Sequence, residues 1–178
     1  MNNDIEYQKT WKLLQELIEA GKETDKRMNK TDQKIDKLQK LIGGIGNSNG
    51  FVAEDLFYNS FSKMMSIGNM KFEYIDRNVE RKHKGIEDEF DIVLTNSEII
   101  VIVEVKYNFY PNDVEKVLTK IQNYKALFPL YKNYKFIGAI AGLTIQKETI
   151  YKAKKYGFFV VTQEGNDLKI LNDKVKNV

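Results

Sequence analysis

The run IIVIVEVK, Ile99 to Lys106, constrains this chain more than any other stretch, because an apolar strand ends there by placing a carboxylate and an ammonium two residues apart. Side chains on a strand alternate with a period of two, so Glu104 and Lys106 point to one face, which they share with Ile100 and Ile102. Just upstream, EFDIVLTNSE reads as a strand at 90–95 followed by a tight turn, and a third strand is expected near 71–75. If Asn96 and Ser97 alone form the loop, Asp91 faces Ile102, Glu89 faces Glu104, and Asp91 is the diagonal neighbour of Glu104. Carboxylates gathered in this way must take up a proton, hold a cation, or be tied off by an ion pair of Lys106 with Glu104 or Glu89.

The rest of the chain frames that hairpin. PNDVEKVLTKIQNYKALFP opens on Pro and a capping Asp, spaces Val114, Val117, Leu118, Ile121 and Phe128 along one helical face, and stops at Pro129. A strand at 134–141, a helix at 146–156, a strand at 158–162, a turn at Gly165 and a short strand at 168–171 complete an α/β pattern with a mixed sheet. Before the hairpin, a helix at 49–65 turns Phe57, Tyr58, Phe61, Met64 and Met65 inward. Glu54 precedes Phe57 and Tyr58 by three and four residues and so lies on that apolar side, unless it serves only as a first-turn acid favoured by the helix dipole.

The first 45 residues differ in kind: they are highly charged, almost free of helix breakers, and contain TDKRMNK followed directly by TDQKIDK. A heptad with Leu14, Gly21, Met28, Ile35 and Ile42 at a, and Leu17, Thr24, Thr31, Leu38 and Ile45 at d, describes a coiled-coil arm that self-associates as a dimer or trimer. Folding back onto the chain's own domain is the alternative. GGIGNSNG, Gly43 to Gly50, is expected to interrupt the helix and to separate an arm at 1–45 from a domain at 46–178.

Composition narrows the chemistry. With no Cys and one His among 178 residues, thiolate or imidazole metal centres are excluded, and a metal here needs oxygen ligands of the kind Mg²⁺ and Mn²⁺ prefer. No signal-peptide apolar region or membrane-length run appears, which points to an intracellular, cytoplasmic protein with no membrane partner. Between Asp113 and Lys155 nine lysines stand against three acids, either as solvated helix faces or as a surface for phosphates.

Taken in order, a helix with GFVAEDLF, a strand with EFDIVL, a strand with VIVEVK and a helix with KIQNYK resemble the PD-(D/E)XK nuclease superfamily over about Gly46 to Asp173. The C-terminal YGFFVVTQEGNDLKILND is similar to uncharacterised bacterial members that carry an N-terminal coiled coil. The resemblance implies a restriction-endonuclease-like αβββαβ core with a mixed central sheet, preceded by a long coiled-coil helix. It also implies a divalent-metal-dependent endonuclease acting on DNA, with RNA as the other candidate substrate and a catalytically silent nucleic-acid-binding or assembly module as the alternative. Asp91 and Glu104, with the main-chain carbonyl of Val105 and with Glu54 directly or through water, would hold Mg²⁺ or Mn²⁺. Lys106 would orient water or stabilise charge on phosphorus, and Gln122 would position strand or water. Lys84, Lys116, Lys120 and Tyr124 would face the nucleic acid. A Phe stands before Asp91 where the family name has Pro.

Overall fold

A computed structural model describes residues 2–165, 167–172 and 174–178; in the first helix, side chains of residues 2–8, 10, 25, 29 and 32–48 lie outside the described set. The chain divides into two compact units, Met1–Asn47 and Ser48–Val178. Helix α1 is assigned over Asn2–Met64. Gly43 to Gly50 is therefore helical rather than a break: a helical glycine costs about 1 kcal/mol relative to alanine, a bias that neighbouring residues can override. In the arm Trp11, Leu14, Leu17 and Met28 are exposed, and Thr24 and Thr31 return their hydroxyls to the carbonyls of Ala20 and Arg27. The expected seam positions Ile35, Leu38, Ile42 and Ile45 fall outside the described side chains.

After α1 come a two-stranded ribbon, β1 (Ser66–Ile67) with β2 (Met70–Lys71), and then the strands β3 (Tyr74–His83), β4 (Ile86–Thr95) and β5 (Ile99–Phe109). Helix α2 (Val114–Leu127), β6 (Lys135–Ile145), α3 (Lys147–Tyr156), β7 (Phe159–Glu164) and β8 (Asp167–Ile170) follow. The main sheet runs β3-β4-β5-β6-β7-β8. Its middle pairs, β5 with β6 and β6 with β7, are parallel, and the remaining pairs are antiparallel. A mixed sheet follows from the connections, since adjacent parallel strands need a crossover and α2 and α3 supply two of them.

Two apolar layers sandwich this sheet. On one face Ala53, Phe57 and Phe61, spaced by one helical turn on α1, pack on Ile92, Leu94, Val101, Val103 and Ile137. On the other, Val117, Ile121 and Tyr124 of α2 cover Phe90, Val93, Ile100, Ile102 and Phe136. Met64, expected on the inner stripe, is exposed at the helix end. The β3–β4 hairpin is much longer than the two short strands expected. Arg81 to His83 and IEDE belong to its paired arms, and Lys84 and Gly85, both at positive φ, make the turn as the mirror-image hairpin turns demand. Its charged residues hid it, because a ribbon exposed on both faces shows no apolar alternation.

Candidate acid–lysine site at the open end of the β4–β5 hairpin

The site is made where pairing stops. Strands β4 and β5 pair from Thr95↔Ile100 to Ile92↔Val103, a register two residues away from the expected one because Asn96 closes a longer turn through bonds from the N–H groups of Glu98 and Ile99 to its Oδ1. A slip of two leaves every side chain on its face, so Asp91 and Glu104 still converge; the register carries Asp91 opposite Glu104 rather than opposite Ile102. On its other edge Asp91 also drops out of the β3 ladder, which skips from Arg77↔Ile92 to Val79↔Phe90 while Asn78 sits at φ +49°. Alternation breaks at the same point, since Phe90 lies on the α2 side although Ile92 lies on the α1 side. Freed from both ladders, the Asp91 carboxylate instead accepts the Val105 N–H at 2.7 Å through Oδ2.

Glu104 is the only charged residue among the buried ones described, at 6 % exposure. Its Oε2 lies 2.8 Å from Lys120 Nζ, a close ion pair that offsets the charge of the carboxylate. Lys120 Nζ also donates to the Glu89 carbonyl at 2.6 Å and reaches Asp91 Oδ1 at 3.5 Å. Lys106 is farther out, with Nζ 3.9 Å from both Glu104 Oε1 and Asp113 Oδ1. Burial, then the charge of Asp91, pushes the Glu104 carboxyl above its ordinary range against the opposing pull of Lys120 and Lys106. Burial would depress Lys120, yet Asp91 and Glu104 outweigh it and raise the ammonium above its usual value. Glu54, half-buried on α1, lines a small cleft with Asp55, Tyr58, Arg77, Asn78 and Asp91. Burial, with the charges of Asp91, Glu89 and Asp55, raises it too.

These placements sort the expected residues. Asp91, Glu104 and Lys106 are brought together, and Glu54 reaches the electrostatic field of Asp91. Among the described residues, however, no group of three or more His, Cys, Asp or Glu side chains is close enough to hold a metal ion, so the expected cage of Glu54, Asp91 and Glu104 is not formed. Glu89, expected opposite Glu104, is exposed and contributes its main-chain carbonyl, because the break at Asp91 carries it away. Gln122 is exposed on α2, one position past the buried Ile121, and among the described residues its side chain makes no hydrogen bond to the acids. Tyr124 is buried and stacks on Phe128 at 4.2 Å between centroids, which makes it a core residue and not a nucleic-acid contact. Lys84 is exposed at the hairpin turn, and Lys116 is exposed while donating to Asp113 at 2.9 Å.

Lys120 is the residue whose place sequence reasoning missed, since it was assigned to the nucleic-acid surface. A signal was present: it lies three residues after Val117 and four before Tyr124, the spacing that shares a helix face with both. Asp113, expected to cap α2, stands at the N-cap position without a side-chain capping bond to that helix; its carboxylate instead accepts from Lys116 at 2.9 Å and lies 3.9 Å from Lys106. Although burial acts against it, the hydrogen bond from Lys116 and the charges of Lys106 and Lys116 hold the Asp113 carboxyl below its ordinary range.

Residues 70–170 match the family described as Domain of unknown function (DUF8196). The chain belongs to this family. The match takes in β2 to β8 with α2 and α3, and so both acids, Lys106 and Lys120, while Glu54 lies before it. Neither the curated proteins nor the solved structures contain a match to the chain. Among the described residues no helix is long and apolar enough to cross a membrane.

Proposed function

We propose that this DUF8196 member is a divalent-metal-dependent endonuclease of the PD-(D/E)XK type, hydrolysing phosphodiester bonds of DNA in the cytoplasm. The observation that carries the reading is the convergence of Asp91 and Glu104 beside two lysines at the unpaired end of β4 and β5. The order α1, β3, β4, β5, α2, β6 agrees with the αβββαβ core that the resemblance implies. The donor set is all oxygen and one of its carboxylates is buried, so the two carboxylates suit Mg²⁺ or Mn²⁺. When bound, such an ion would polarise a phosphoryl oxygen and acidify a water.

The chain's own residues do the rest. Glu104, fixed on a strand hydrogen-bonded to β6, and Asp91, held by the Val105 N–H, present their carboxylates rigidly. Lys106, partly exposed beside them, faces the solvent from which a phosphate arrives and stabilises negative charge as it builds on phosphorus. Exposed Lys84 and Lys116 attract the backbone. The arm, with Leu14, Leu17 and Met28 exposed along a helix, pairs with a second copy and brings two active centres to one substrate.

One observation favours a second reading, that of a silent DNA-binding or assembly module: Lys120 already compensates the acids from within the fold. Incubation with plasmid, branched, single-stranded and RNA substrates under Mg²⁺, Mn²⁺ or EDTA separates the two. The nuclease cleaves DNA with metal alone, and Asp91→Ala or Glu104→Ala lowers the rate by at least about 100-fold. Full activity in both variants, or activity in EDTA, would falsify the assignment. Retention of DNA without cleavage under any metal supports the silent module.

A further inference from the structure

Two carboxylates meet at the end of β4 and β5, one of them almost fully buried, and like charges so placed repel strongly unless something offsets them. The offset comes from α2. Lys120 has an 18 % exposed side chain, and its ammonium is surrounded by three oxygens: the Glu89 carbonyl at 2.6 Å, Glu104 Oε2 at 2.8 Å and Asp91 Oδ1 at 3.5 Å. An ammonium has three N–H donors and no acceptor, so this surrounding suits it as it would suit a small hard cation. The stem is held by position, because Val117 and Ile121 on either side of Lys120 are fully buried. Lys106, at 3.9 Å and more exposed, is too distant to take over.

We infer that Lys120 is a tethered counter-ion holding Asp91 and Glu104 in the place of a divalent cation, so that Mg²⁺ or Mn²⁺ must displace its ammonium to bind. This rests on the metal-dependent reading of the site for the identity of the competing ion. Two consequences separate a counter-ion from a lysine that merely packs. Removing the charge while keeping the stem makes the fold dependent on added metal, and restoring a cation on the same stem removes that dependence.

Thermal unfolding of the full chain in EDTA and in millimolar Mn²⁺ reads both. In EDTA, Lys120→Met unfolds on the order of 10 °C below the parent, as expected when one partner leaves a buried ion pair. Mn²⁺ returns about half of that loss or more, and shifts the parent and Lys120→Arg by much less. Adding Glu104→Gln to Lys120→Met abolishes the metal response and recovers part of the loss in EDTA. The inference is overturned if Lys120→Met unfolds in EDTA at the parent temperature, or gains no more from Mn²⁺ than the parent does. If Lys120→Met does not fold in EDTA, folding upon Mn²⁺ addition or in the double variant supports it, and failure in both overturns it. These shifts require no substrate. Shifts without cleavage sink the nuclease and keep the counter-ion, and cleavage without shifts does the reverse.

Discussion

The two halves of β5 are one strand doing opposite jobs. From Ile100 to Val103 every side chain is fully buried, with β4 paired on one edge and β6 on the other. From Glu104 onward β4 has left, β6 alone continues the pairing, and Lys106, Tyr107 and Asn108 meet solvent to differing degrees. The apolar half is anchored by two layers of side chains, and that anchoring lets the polar half hold a buried carboxylate that would destabilise a looser frame. The unbroken run of fully buried side chains therefore ends at Val103, and the charged groups of the site begin with the next residue.

Substitutions along the strand sharpen or break this division. Ile102→Ala removes a fully buried side chain under α2 and is expected to cost about 2–5 kcal/mol in denaturant unfolding. A cost near zero would mean that the apolar half is not the anchor. Its cross-strand partner Gly138 is tight against α2 and the residue that leads into β7: a Cβ there would lie 2.6 Å from Phe158 and 3.0 Å from Val117. Gly138→Ala is expected to lose about 1–3 kcal/mol by overpacking, read as a lowered denaturant midpoint at unchanged slope.

The polar half responds to pH instead. Asp113 ionises more readily folded than unfolded, so its contribution is present above its ordinary value of 3.8 and is lost as pH falls through the lower folded value. Asp113→Asn is expected to cost about 1 kcal/mol at pH 7, with the gap to the parent closing on acidification in unfolding curves taken from pH 6 to pH 2. A gap constant across that range contradicts the ionic role. Smallest of all, Lys106→Met is expected to change stability by about 0.5 kcal/mol or less, because its two ion pairs are long and partly solvated.

Much of the fold was legible because its core elements carry one-dimensional signals. The apolar period of α2, the run IIVIVEVK and the strands and helix after residue 134 are where patterning placed them, to within a few residues. What escaped was decided by contacts remote in sequence. The β3–β4 ribbon is charged on both faces, and its length is set by pairing with itself. The turn at Asn96 depends on side-chain bonds that fix the loop length, so the register shifted although the faces did not. Convergence of Asp91 and Glu104 was readable because strand parity survives an even slip. Lys120 was misread because a lysine near the edge of an apolar helical stripe reads as solvated until the opposing acids are known. Gln122 and Tyr124, two residues apart on α2, lie on opposite faces, Gln122 exposed and Tyr124 buried, which the short motif KIQNYK does not reveal.

Because Asp91 belongs to neither neighbouring ladder, its carboxylate, through the Val105 N–H and Lys120, is what ties it to the strand and helix beside it. An exchange at this position is therefore felt as a lost side-chain acceptor for Val105 and a lost counter-charge for Lys120, while the main-chain pairing of the neighbouring strands is left as it was.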